Sequence, residues 1–76
     1  MIITNIKEIK DLSDTIIHRK NDDRKWIVRT IDISQNEYNF TKCSIKLESI
    51  DNKFKYELLG SLEEIISLLK QWEVPA

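Results

Sequence analysis

Glycine, proline, cysteine and histidine each occur once in this chain, and alanine occurs only at position 76. With Gly60 as the sole glycine, neither a phosphate-cradling loop nor a dinucleotide-binding turn can be built, since both need several glycines for close backbone approach to phosphate. With Cys43 as the sole cysteine there is no internal disulfide, which fits a reducing, cytoplasmic setting. His18 has no oriented partner in the pattern, so no nucleophile–base pair or proton relay can be assembled around it. An excess of either charge is also missing: 12 Lys+Arg stand against 13 Asp+Glu, for a net charge of −1. Domains that grip phosphate backbones are usually strongly basic, so that class loses ground, as do acidic nucleic-acid mimics and charged disordered tails. The opening run MIITNIKEIKDL is broken by charge from Lys7 onward. It reads as neither a signal peptide nor a membrane span. These absences predict one small cytoplasmic domain over residues 1–76, with no catalytic residues, no metal and no cofactor.

What is present is led by the stretch 43–58. Folded as a hairpin with Asp51 and Asn52 as a two-residue turn, it pairs Ser49 with Phe54, Glu48 with Lys55, Leu47 with Tyr56, Lys46 with Glu57 and Ile45 with Leu58. One face then gathers Ile45, Leu47, Phe54, Tyr56 and Leu58. The other holds two opposite-charge pairs of the kind that contribute up to about 1 kcal/mol each across a strand pair. Asp and Asn tolerate the positive φ of a type I′ turn. A one-residue slip would set apolar side chains against charges, so the pattern fixes its own register.

The rest of the chain follows around this hairpin. Ile6, Ile9, Leu12 and Ile16 recur at helical spacing behind a capping box at Asn5 and Glu8, predicting a helix over residues 5–20. A rival reading has Ser13-Asp14 begin a new element, with residues 15–19 as a strand turned back through Asn21-Asp22-Asp23. Residues 24–34 alternate as a first strand, with Ile27, Ile31 and Ile33 on one side and Trp26, Val28, Thr30 and Asp32 on the other. Aligning Ile31 with Cys43 sets Ile27 against Leu47 and brings three core faces into agreement. Gly60 then ends the third strand. Ser61 and Glu64 make a second capping box, and Leu62, Ile65, Ile66, Leu69 and Trp72 form the stripe of a helix ending at Val74-Pro75. The predicted fold is therefore α+β in the order α-β-β-β-α: a three-stranded antiparallel meander with two helices packed on one face. That order is shared with double-stranded RNA-binding domains, but the last helix here opens with Glu63-Glu64 where those domains are basic.

Adjacent carboxylates at Asp22-Asp23 and Glu63-Glu64 are explained by turn and cap chemistry and fall short of a metal ligand set. Asn39-Phe40-Thr41 matches a glycosylation sequon, which is inert without secretion. The uncovered face of the sheet carries more information. Strict alternation leaves Trp26 and Val28 on it, with Arg24, Lys46 and Ile50 around them, the composition of an interface hot spot. Arg29 falls on the core side, where it must reach the rim or meet a carboxylate. Both outer strands of a meander are also open edges that another chain can extend.

The first expectation is thus a non-enzymatic interaction module that binds another protein, or itself as a homodimer, through Trp26, Val28, Arg24, Lys46 and Ile50. Trp26→Ala should then leave the fold intact and weaken binding by about 2 kcal/mol. A regulator fits the small motif-free chain, as does an inhibitor carried by a phage or mobile element against a host defence system. The abundance of Ile, Lys and Asn, which suits an AT-rich genome, agrees with such a source. The alternative is single- or double-stranded nucleic-acid binding through Lys42, Lys46, Lys53 and Lys55, with Trp26 as a stacking platform.

Overall fold

Asn5 starts the chain's first element by accepting a hydrogen bond from the Glu8 backbone N–H at 3.0 Å, while the Glu8 carboxylate reaches back to the Thr4 backbone N–H at 3.1 Å. The elements that follow are α1 (Ile6–Lys10), β1 (Ile16–Arg19), β2 (Lys25–Gln35), β3 (Thr41–Ser49), β4 (Lys55–Ser61), α2 (Leu62–Leu69) and β5 (Trp72–Glu73). The structure is a computed structural model, and it describes residues 3–35 and 41–74. Its strands form one five-stranded antiparallel sheet in the order β4-β3-β2-β1-β5. The fold is a small α+β fold, but two strands richer than the expected three-stranded meander. The three expected strands are neighbours in the expected order, as β2, β3 and β4.

The fourth strand comes out of the predicted N-terminal helix. That helix ends at Lys10 instead of continuing to residue 20, and the rival reading of residues 15–19 is the one the structure adopts. Asp14 takes a left-handed φ of 62° and donates its N–H to the Val28 carbonyl at 2.8 Å, while the Val28 N–H bonds Thr15 O at 2.9 Å. Thr15, Ile16 and Ile17 are three consecutive β-branched residues, which lose side-chain freedom in a helix and fit a strand. Pairing with β2 then buries Ile17 and leaves Ile16 outside.

The fifth strand comes out of the predicted C-terminal helix. Ser61 caps α2 as expected, accepting the Glu64 N–H at 3.2 Å. Gly60 allows β4 to run straight into the cap, because a Cβ there would lie 3.2 Å from Glu64 Cβ. The helix ends at Leu69 instead of residue 74. The chain then lays Trp72 and Glu73 beside Arg19 and His18, anchored by the Lys20 N–H on Gln71 O at 2.7 Å.

The β3–β4 register is the expected one at every pair from Lys46↔Glu57 to Glu48↔Lys55. The turn differs. Only Asn52 takes a positive φ, 60°, so the type I′ geometry at Asp51-Asn52 is not formed. A four-residue loop over residues 50–53 is closed instead by the Asn52 N–H on Ser49 O and the Ser49 N–H on Phe54 O, both 2.9 Å.

The largest departure lies in β2. Val28 faces Leu47 but Thr30 faces Lys46, so Arg29 is an extra residue with no partner on β3. This is a β-bulge, and it reverses the alternation: Arg29 and Thr30 both point outward. Ile31 therefore faces Ile45 and Ile33 faces Cys43, two residues away from the expected register. Trp26 and Val28, expected on the open face, share the inner face with Ile31 and Ile33. They belong to one core with Ile9 and Leu12 from the α1 segment, Ile65 and Leu69 from α2, and Trp72 from β5.

The sheet is rolled around this core. Tyr56 on β4 and Trp72 on β5 belong to opposite edges, yet their ring centroids are 6.5 Å apart, and Trp26 lies 6.1 Å from Tyr56. The Arg19 guanidinium sits 4.7 Å from the Tyr56 centroid and 5.2 Å from that of Trp72. Four flat strand spacings would hold the two edges roughly 19 Å apart. Trp26 is only 7 % exposed at the centre of this cluster. Trp26→Ala should therefore lower unfolding free energy by about 3–5 kcal/mol in urea titration, instead of leaving the fold intact.

Candidate interaction surface

Burial of Trp26 and Val28 removes the two anchors of the expected docking patch. The other three residues named with them part company. Lys46 lies on the outer face of β3, opposite Glu57 and Thr30. Arg24 and Ile50 stay together, lining one shallow depression of about 320 Å³ with Asp23, Lys25, Ser49 and Asp51. The Arg24 guanidinium lies 4.6 Å above the centre of the Phe54 ring. Phe54 and Tyr56, expected wholly in the core, are both more than two-fifths exposed.

Beside that depression the structure assembles a patch that strict alternation does not reveal. Ile16, Ile50 and Val74 come from three separate segments and surround Lys25, with Asp14 and Thr15 at the margin of a hollow of about 400 Å³. Their exposures are 40 %, 52 % and 49 %. Ile16 was hidden in the sequence by its fit to a helical stripe, and Val74 by its place after a helix that ends early. Isoleucine next to Ile17 in a β-branched run was the available signal, because neighbours in a strand must face opposite ways.

Elsewhere the outer face is a charge ladder. Arg29 Nε lies 3.3 Å from Glu48 Oε2, so the side chain, expected to leave the core side for the rim or a carboxylate, meets a carboxylate on the outer face. Glu48 faces Lys55 and Lys46 faces Glu57 in the strand register. These side chains border a groove of about 470 Å³ together with Thr30, Leu47 and Tyr56. Of the remaining lysines, Lys42 stands between Ser34 and Ser61, and Lys53 lies in the β3–β4 loop.

The residues that elsewhere perform chemistry have structural work here. The His18 Nδ1 lies 2.8 Å from Arg19 O and 3.2 Å from Asp22 O, so it donates into the β1–β2 turn. Cys43 is buried in the core, and burial pushes its thiol pKa up, away from the thiolate a nucleophile needs. Among the described residues no three His, Cys, Asp or Glu side chains gather as a metal site, and no helix is long and apolar enough to cross a membrane. The sequon at Asn39-Phe40-Thr41 falls partly outside the described residues. No known protein family, curated protein or solved structure matches the chain.

The loop that carries Ile50 is held by one carboxylate. Ser49 Oγ donates to Asp51 Oδ1 at 2.6 Å, the Lys53 N–H donates to the same oxygen at 3.1 Å, and the Phe54 N–H donates to Ser49 Oγ at 3.0 Å. The Ser49 and Lys53 hydrogen bonds hold the Asp51 pKa below its ordinary value of 3.8. Because the folded state favours the ionised form, this stabilisation is complete above the unfolded pKa and is lost as pH falls through the lower folded one. Asp51→Asn keeps an acceptor oxygen but cannot titrate. Its urea midpoint should fall less steeply with acid below about pH 4 than that of the wild type.

Proposed function

We propose that this chain is a small non-enzymatic protein-interaction module, a regulator or inhibitor of a larger protein, acting in the cytoplasm. One observation carries the reading: Ile16, Ile50 and Val74, each at least two-fifths exposed, converge on one hollow from three separate segments. Single exposed apolar side chains are ordinary, but a cluster drawn from three segments is the mark of a surface meant to be covered. Lys25, Asp14 and the Arg24–Phe54 stack supply a mixed polar and aromatic rim around it, the usual anatomy of a protein interface. A phage or mobile element as source, with a host defence protein as target, is the version of this reading that suits the Ile-, Lys- and Asn-rich composition.

The nucleic-acid alternative loses part of its support. Its stacking platform, Trp26, lies in the core, and Lys46 and Lys55 stand opposite Glu57 and Glu48. A basic track needs uncompensated lysines beside exposed rings. Binding of a short single strand that weakens steeply with salt would restore it.

The experiment is affinity capture from extracts of the source cells or their host, comparing wild type with Ile50→Asp. The variant should keep the wild-type melting temperature and lose captured partner by about tenfold or more. Equal capture by the two proteins would remove the patch from the interface and with it this reading.

A further inference from the structure

We propose that one partner of this chain is a second copy of itself, joined through β4 in a single antiparallel register that sets Lys55 against Glu57. The inference deepens the interaction-module reading by naming a partner, but it uses a different surface from the Ile16–Ile50–Val74 hollow.

Among the described residues β4 is an outermost strand, paired to β3 alone. The direction of its backbone groups can be read from the loop. The Ser49 N–H bonds Phe54 O and the Phe54 N–H bonds Ser49 Oγ, so the polar groups of Phe54 turn toward β3. By the two-residue period Tyr56, Leu58 and Gly60 do the same, while Lys55, Glu57 and Leu59 turn their N–H and C=O groups to the open side. β2 also runs past the end of β1, but of the two charges on that part Arg29 already meets Glu48, which leaves Asp32 and no complementary pattern.

Two copies related by a twofold axis perpendicular to the sheet can pair β4 only in registers that keep inner faces together, which restricts the shift to steps of two residues. Centring on Lys55 places Lys55 against itself, and centring on Glu57 places Glu57 against itself. Centring on Leu58 leaves Glu57 against Leu59. Centring on Tyr56 alone sets Lys55 opposite Glu57 of the second copy, twice. In that register both pairs are hydrogen-bonded ones, giving four interchain backbone bonds. The existing ladder then continues across the join with strict alternation of sign: Arg29, Glu48, Lys55, then Glu57 and Lys46 of the second copy. On the inner face the two Tyr56 rings meet at the axis. Phe54, 47 % exposed in one copy, comes opposite Leu58 of the other.

The same charges would also keep the edge from recruiting strands at random. Charged side chains on an edge strand repel most flat partners. Here they are spaced so that the same strand, reversed, is the partner they accept.

Sedimentation velocity across a concentration series tests this with wild type, Lys55→Glu, Glu57→Lys and an equimolar mixture of the two variants. Wild type should dimerise. Each variant alone faces two like-charge pairs and should dimerise about tenfold or more weaker. In the mixture the strand of the first variant is acidic at both positions and that of the second is basic at both, so every facing pair is again of opposite sign. A heterodimer should therefore be recovered, which also shows that both variants are folded. A wild type that stays monomeric throughout overturns the proposal, even if it still captures a protein through the Ile50 patch. A dimer indifferent to both reversals overturns it equally.

Discussion

One unpaired residue governs this fold. Arg29 sits in β2 without a partner on β3, and its insertion turns an eleven-residue strand into two segments of opposite phase. Without it, Trp26 and Val28 could not share a face with Ile31 and Ile33, and one of these two pairs would point into water. Burying a large side chain contributes about 1.5–3 kcal/mol. Exposing two of four would remove several kcal/mol from a domain whose net stability is expected to be small. The bulge costs one ladder position and returns the core. Arg29 suits that position because the extra outward place beside Glu48 gives its charge a partner at 3.3 Å.

The bulge also bears on shape. A bulged strand bends and twists more strongly than a regular one, and this sheet must curl far enough to bring Tyr56 on β4 within 6.5 Å of Trp72 on β5. α2 connects those two strands, so it crosses from one edge of the sheet to the other, burying Ile65 and Leu69 beneath it. Short β5 has only two residues, too few to hold an edge by backbone pairing alone. Its stability comes from Trp72, which is buried and has Arg19 stacked on it. The Arg19 guanidinium meets two aromatic rings on the inner side of the sheet, an arrangement worth about 0.5–2 kcal/mol according to how far the cation is desolvated.

How much of this could be read from the residues depended on whether local chemistry agreed with tertiary need. The β3–β4 register was legible because Glu48/Lys55 and Lys46/Glu57 penalise every slipped alternative. The caps at Asn5 and Ser61 were legible because they are satisfied within four residues of sequence. Helix lengths were not. Ile16 and Trp72 continue a helical stripe as well as they fit a strand, and only pairing with β2 for Ile16 and with β1 for Trp72 decides between them. The bulge left one trace, a charged residue where strict alternation demanded an apolar one. Arg29 on the core side was the sign that the alternation had been carried one residue too far. Moving the phase change to that residue places Trp26 and Val28 in the core from the residue pattern alone.

The outer face then takes on a different meaning from the one an exposed tryptophan would have given it. Its charges first hold β3 and β4 in one register. The same four side chains, read outward from the last strand, form a sequence of signs that is complementary to its own reversal. An intramolecular ladder and a self-complementary edge place the same demand on the sequence, opposite charges two residues apart on one strand, so Lys55 and Glu57 satisfy both at once. The apolar hollow at Ile16, Ile50 and Val74 makes no such demand on register and draws on β1, the β3–β4 loop and the residue after β5 instead. On the proposed readings, a chain this short would carry two independent contacts, one specified by sign along an edge and one by shape on a face.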